Sequence, residues 1–298
     1  MSLEQHGGFL RTLGRASRNP QDSPMLKPVA LVSLALSAAV GVVLMAAPPQ
    51  RLDIPLPDAR AIIDGALARA TWTAEQKFEA RFRHTMTERL RRYDGDGETT
   101  EDVTWQYLVE PHQGVPYAKL LTKDGEPIAG DDVADEEKRW DAFLEELENP
   151  PDAKDSDEDP LELAFDEELI ARYTTESVGV QTLRGRPTYV LAFKPRPGKL
   201  PVRTRLDRAL NKSRGEIWID QDTSEVARLT FELTERVRLW WGILGSVSNV
   251  TGRIERQPIA DGVWMPDEID IYYEYRVLFS NSRRGGTTRW SDFTAIGE

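Results

Sequence analysis

Phe78-Glu79-Ala80-Arg81-Phe82-Arg83-His84-Thr85-Met86-Thr87-Glu88-Arg89-Leu90 is the stretch that decides the fold. Phe78, Ala80, Phe82, His84, Met86 and Leu90 alternate with Glu79, Arg81, Arg83, Thr85, Thr87 and Arg89. Successive side chains of a strand point to opposite faces, so this period of two predicts a long strand with one wet face and one core face. Asp94-Gly95-Asp96-Gly97 then supplies a tight turn. Residues 103–109 return as a second strand, with Trp105 and Tyr107 on one face. Residues 116–121 form a further extended piece, ended by Lys123-Asp124-Gly125.

The same pattern governs the second half. A strand over 187–193 follows the turn Arg184-Gly185-Arg186. Residues 215–220 place Ile217 and Ile219 opposite Trp218, and residues 226–233 put Ala227, Leu229, Phe231 and Leu233 on one face. Strands over 250–254 and 264–278 join through Asp261-Gly262. In the latter, Ile269, Ile271, Tyr273, Tyr275 and Val277 alternate with polar neighbours and Tyr272. Residues 287–293 close the chain, and there is no internal repeat.

Helical spacing appears in three places. Pro57 opens a helix over 58–71 through Ile62, Ile63, Ala66, Leu67 and Ala70. Val133, Trp140, Phe143, Leu144 and Leu147 predict a helix over 132–148, and Leu161, Phe165, Leu169 and Ile170 another over 161–173. Between those two, residues 149–160 are rich in proline and carboxylates and have nothing to bury, so disorder is expected. The block 131–168 reads as an acidic helical insertion. Long antiparallel strands interrupted by a few helices predict an α+β domain over 58–298: one large curved antiparallel sheet, an unclosed β-barrel, covered by helices.

An apolar helix is expected to precede that domain. Residues 29–47 carry no charge, and Arg11, Arg15, Arg18 and Lys27 stand before them. A helix of this length spans about 28 Å, close to a hydrocarbon core, and the positive flank keeps the N-terminus in the cytoplasm. From Met25 onward the segment also reads as a secretory signal with a short basic head, an apolar middle and Met45-Ala46-Ala47 at its end. Pro48 and Pro49 disfavour cleavage directly after it. Signal peptide and membrane anchor both stay open, with 1–28 a cytoplasmic or mis-assigned extension and 48–57 a linker. Either way the functional part is expected outside the cytoplasm, periplasmic and either secreted or tethered to the inner membrane.

Composition excludes several classes. The net charge of −12 repels phosphate backbones, so no nucleic-acid partner is expected. Without cysteine there is no disulfide, thiol nucleophile or lipidated cysteine. His6, His84 and His112 are the only histidines, too few for a multi-histidine metal site. Asp155, Asp157 and Asp159 imitate the start of a calcium loop, but Pro160 stands where glycine is needed and Asp166 where a bidentate glutamate belongs. Neither His84 nor His112 sits in a nucleophile-elbow context. The expectation is no enzyme, no cofactor and no metal.

Residues 58–298 resemble the LolA/LolB superfamily of outer-membrane lipoprotein carriers, an uncharacterised exported branch of it. The resemblance rests on Leu120-Leu121-Thr122-Lys123-Asp124-Gly125-Glu126-Pro127, Gly185-Arg186-Pro187-Thr188-Tyr189-Val190-Leu191, Lys194-Pro195-Arg196-Pro197-Gly198, Gly215-Glu216-Ile217-Trp218-Ile219-Asp220, Trp264-Met265-Pro266 and Trp290-Ser291-Asp292-Phe293. It implies an unclosed barrel whose apolar cavity receives acyl chains. The acidic insertion and the apolar N-terminal segment depart from a freely diffusing carrier.

The expected task is binding of lipid or lipoprotein acyl chains in the cell envelope, with an acylated lipoprotein, a lipid or an envelope membrane protein as partner. The alternative is a periplasmic protein-interaction or envelope-stress sensor module of the same fold. Candidate cavity or lip residues are Trp105, Tyr107, Phe231, Trp240, Trp241, Ile243, Leu244, Tyr273 and Tyr275. Strand alternation fails across Leu239-Trp240-Trp241-Gly242-Ile243-Leu244, which marks either a buried segment or an apolar lip at a cavity mouth or bilayer. Arg203, Arg205, Arg208 and Lys212, within the basic stretch 194–214, are the candidate headgroup contacts.

Overall fold

The computed structural model describes residues 56–149, 165–239, 245–277 and 280–297. The apolar segment 29–47, the loop 150–160 and Trp240, Trp241, Ile243 and Leu244 lie outside the described residues. Among the described residues no helix is long and apolar enough to cross a membrane.

The elements run α1 (Ala59–Gln76), β1 (Phe82–Tyr93), β2 (Thr99–His112), β3 (Val115–Lys123), β4 (Glu126–Pro127), α2 (Asp131–Glu148), α3 (Glu167–Ile170), β5 (Tyr173–Leu183) and β6 (Arg186–Pro195). They continue with α4 (Arg205–Leu210), β7 (Ser213–Asp220), β8 (Val226–Leu233), β9 (Val237–Leu239), β10 (Gly245–Ala260), β11 (Val263–Val277) and β12 (Ser280–Ala295). The strands form one 12-stranded sheet in the order β4-β3-β2-β1-β12-β11-β10-β8-β7-β6-β5, with β9 beside β10. Pairing is antiparallel throughout the path, and β4 and β5 are left as edges, so the sheet is large and unclosed. β12 pairs with β1 in the middle of the order, joining the first hairpins to the rest.

α1 lies on one face of this sheet. Ile62, Ile63, Ala66 and Leu67 are buried against Leu191 of β6, Ile217 and Ile219 of β7 and Ile170 of α3. Each large side chain removed from water there contributes roughly 1.5–3 kcal/mol. Two ionic anchors hold the helix in register. Arg60 pairs with Glu167 at 2.9 Å near its start. Near its end, buried Glu225 accepts from Arg69 at 2.9 Å and from Thr73 at 2.8 Å, and also pairs with Arg256. A second core on the same face joins Met86, Tyr107, Val109, Ile269 and Trp290. α2 lies by the β3 edge, where Arg139 donates to the Ala118 carbonyl and buried Glu136 accepts from Tyr117.

Several boundaries differ from the sequence reading. The strand begins at Phe82, because Lys77 takes a left-handed φ of 48° and Phe78–Arg81 forms a 3-10 turn that buries Phe78. The helix expected over 161–173 is, among described residues, only α3. Asp166 caps it, and Arg172 and Tyr173 leave it to reach Asp207 and the Leu210 carbonyl. The aromatic and β-branched run Tyr173-Thr174-Thr175 then suits β5, a strand the sequence reading missed. In the basic stretch, a capping box between Thr204 and Asp207 starts α4.

Candidate functional site

Reading partners across the sheet exposes a row on the α1 face. Thr175 faces Phe193, Phe193 faces Gly215, Gly215 faces Phe231 and Phe231 faces Gly252. Gly252 faces Ile271, Ile271 faces Gly286 and Gly286 faces Leu90. Large apolar side chains and glycines therefore alternate from β6 to β1. Glycine inside a strand marks a bend or a place where something approaches the backbone closely. At Gly252 the occupant is the Phe231 ring, since an added Cβ would fall within contact of its Cζ, Cε1 and Cε2. At Gly215 the Thr230 carbonyl and the Phe193 ring fill that place. At Gly286 nothing lies within 4 Å.

The first part of this row floors a cleft of about 920 Å³. Thr175, Phe193, Gly215, Phe231 and Gly252 line it together with their immediate neighbours along the strands, from Thr174 to Glu176 on β5 across to Thr251 on β10. The size falls within the range of small-molecule sites, and Phe193 and Phe231 give it an apolar floor that suits a ligand with a long apolar part; Glu176, Lys194, Arg214, Glu216 and Glu232 also line it but alternate with that row, so their side chains point to the other face of the sheet. One step further along the strands, Leu191, Ile217, Leu229, Ile254 and Ile269 form the apolar core row beneath α1 and beside it. The cleft is thus sheet surface beyond the part that α1 uses.

The expected site residues divide in space. Phe231 lines the cleft. Tyr273 and Tyr275 share the α1 face one and two steps beyond Ile271, with ring centroids 6.0 Å apart. Tyr107 is buried in the second core and Trp105 is packed against it, away from the cleft. Burial pushes the Tyr107 phenol up, with the neighbouring Glu88 carboxylate adding to it. Arg203 pairs with Glu168 at 2.8 Å. Arg208 and Lys212 donate to the backbone carbonyls of Arg238 and Arg236 at the corner between α4 and β9, where Lys212 also pairs with Glu235 at 3.1 Å. The side chain of Arg205 lies outside the described residues. Phe193, Gly215 and Gly252 were not among the residues expected at the site. Their signal was present as glycine within strand patterns, at 215 and 252.

A second, much smaller space of about 20 Å³ lies in the other core, lined by Glu79, His84, Val109, Ile254, Met265 and Trp290 among others. It is room for about one water. Neither ring nitrogen of buried His84 makes a hydrogen bond of good geometry among the described residues, although the Phe82 backbone lies near enough to interact, and the ring lies near Phe293 at 5.0 Å. Burial lowers its pKa to about 4, so it is neutral near pH 7. Burial likewise pushes Glu79 up to about 7, against the pull of Arg256. No serine, threonine or lysine lines this space, and among the described residues no cluster of three His, Asp or Glu is placed to hold a metal.

No family model and no curated protein matches the sequence. Among solved structures the chain is similar to a LolA superfamily protein from Nitrosomonas europaea, at 15% identity and a TM-score of 0.29, over 82% of this chain and 96% of that one. It is similar to a putative outer membrane lipoprotein-sorting protein domain from Vibrio parahaemolyticus, at 12% identity and a TM-score of 0.29, over 80% and 93%. It is similar also to the lipoprotein LppX of Mycobacterium tuberculosis, at 9% identity and a TM-score of 0.26, over 81% and 99%. The chain's own sheet, large, antiparallel and unclosed with α1 on one face, has the layout that the resemblance to LolA/LolB implies.

Proposed function

We propose that this chain is an exported, non-enzymatic binding protein for lipid or lipoprotein acyl chains, and that the cleft over Phe193 and Phe231 receives the chain. The observation that carries the reading is the cleft itself. It has a volume of about 920 Å³, an apolar floor and glycines at 215 and 252 that keep the floor low. Transfer of an acyl chain from water onto such a floor is favourable by roughly 25 cal/mol per Å² of apolar surface buried. The cations around α4 and β9, Arg203, Arg208 and Lys212 with Arg236 and Arg238, belong to the same proposal as contacts for an anionic headgroup layer, where attraction weakens with salt. Trp240, Trp241, Ile243 and Leu244 follow directly in the chain and would form the lip.

The test is titration of the full-length protein with a pyrene-labelled long-chain alcohol. Saturable binding is expected, together with lipid in solvent extracts of protein purified without added lipid. Absence of both refutes the reading. The free edge of β5 supports a second reading, a protein-interaction module that accepts a partner strand. The bulge between Ser177 and Gly179 interrupts that edge. A stable complex with an envelope protein, unchanged by saturating probe, would favour it.

A further inference from the structure

We propose that Arg284 is an anion anchor on the α1 face, so that the preferred ligand is an amphiphile with an oxyanion head, a carboxylate or a phosphate. This rests on the acyl-binding reading and adds the head to the chain. Arg284 stands on β12 directly opposite Tyr273 of β11 and Arg92 of β1. Two arginines facing each other across strands repel. Arg92 is neutralised on its far side by Glu101 at 2.9 Å. Among the described residues Arg284 has no such neighbour. Its guanidinium lies over the Tyr275 ring at 5.2 Å, and its Nε is buried with no hydrogen-bond partner among the described residues. Among the described residues it makes no ion pair.

The contrast with its surroundings gives this weight. The protein carries 50 acidic against 38 basic side chains, so carboxylates are not scarce. On the same sheet Arg228, Arg253, Arg283 and Arg289 each have a carboxylate within 3.5 Å. A half-buried guanidinium left facing a second one, in a chain with surplus acid, is arranged for an anion from outside. Its rigid fork matches an oxyanion with two parallel bonds.

Position supports the same occupant. Arg284 is two strands and two residues from Gly252, about 12 Å by ordinary strand spacing and rise. The stretch between them is Ile271 and Gly286, and the place of a Cβ at Gly286 is open. An acyl chain lying in the cleft and across Gly286 brings its head to Arg284, with Tyr273 and Tyr275 beside it.

The experiment compares a pyrene-labelled fatty acid with the matching alcohol on the full-length protein, and on Arg284→Gln and Arg284→Lys variants. A charge-assisted contact predicts about tenfold tighter binding of the acid. Arg284→Gln is expected to lower acid affinity about tenfold, to the level of the alcohol, and to leave alcohol binding unchanged. Arg284→Lys, with charge but no fork, is expected to fall between. Displacement of the acid probe by palmitate, or only by lysophosphatidylglycerol, distinguishes carboxylate from phosphate; displacement by neither overturns the anchor. So does equal binding of acid and alcohol by the wild type, or equal acid affinity in the wild type and whichever variants melt normally. If neither probe binds the wild type, the acyl-binding reading itself has failed, and the anchor with it.

Discussion

Three glycines in one cross-sheet row should respond to alanine in three different ways, and that ordering tests the geometry of the cleft floor. In a strand, alanine in place of glycine gains about 0.5–1 kcal/mol from reduced chain entropy and better packing. Gly286→Ala meets nothing within 4 Å, so it should show that gain undiminished. At Gly252 the new methyl would overlap the tip of the Phe231 ring, with Cε2 at 2.9 Å. Comfortable carbon contacts are about 3.5–4.0 Å, so the ring must swing by roughly 1 Å or more. The cleft that Phe231 lines gives it somewhere to go. Overpacking costs about 1–3 kcal/mol, and the entropy gain offsets part of it, leaving a net loss of about 0–2 kcal/mol. At Gly215 the obstacle is the Thr230 carbonyl, which is backbone and paired in the sheet. No side chain can yield there, and a loss of about 3 kcal/mol or more is expected. Urea unfolding of the three variants measures this directly. Gly252→Ala should also weaken the pyrene-alcohol probe, because the displaced ring occupies the cleft, and Phe231→Leu added to it should restore binding. Equal destabilisation by Gly215→Ala and Gly286→Ala, or undisturbed probe binding by Gly252→Ala, would refute the reasoning.

Glu225→Gln removes the charge that Arg69 and Arg256 share under α1 while keeping the side-chain shape, and should cost about 3–5 kcal/mol in chemical denaturation, with α1 becoming the first segment to exchange its amides. A loss under about 1 kcal/mol would mean the helix is held by its apolar face alone. Glu79 has an opposite pH signature to a salt-bridged acid. Burial raises its folded pKa to about 7 from the ordinary 4.5, so as pH rises through that window the unfolded chain gives up a proton that the folded chain retains, and stability falls. Glu79→Gln should therefore be more stable than wild type at about pH 8, by about 1–3 kcal/mol given that water reaches part of the side chain, and no more stable at about pH 4. A gain independent of pH would place the effect in packing instead.

Local periodicity determined much of this protein. The alternation at 82–90 and 269–277, the turns at Asp94-Gly95-Asp96-Gly97 and Asp261-Gly262, and the apolar face of Ile62, Ile63, Ala66 and Leu67 each depend on neighbours within a few residues, and each is found where the sequence placed it. The face assignment of Phe231, Tyr273 and Tyr275 follows from the same rule, since period two decides which side chains share a face. Where local propensity competed with long-range bonds, it lost. The helix expected up to Tyr173 stops short because Arg172 and Tyr173 bond to residues near α4.

Lateral order was decided by the tertiary structure alone. Nothing near Trp290 announces that β12 lies between β1 and β11, because hairpin turns specify only the next strand and not the one that closes a long-range pairing. The Phe–Gly alternation across β6, β7, β8 and β10 is invisible along the chain, as its members stand between 16 and 22 residues apart, yet it makes the cleft floor. Trp105 and Tyr107 looked as suitable for a cavity as Phe231. The pairing of β2 with β1 and β3 put them in a packed core instead. Arg284 was one arginine among many in sequence. Only its place opposite Arg92, over Tyr275 and without a carboxylate among the described residues, distinguishes it, because the energy of a charge depends on which charges the fold brings near.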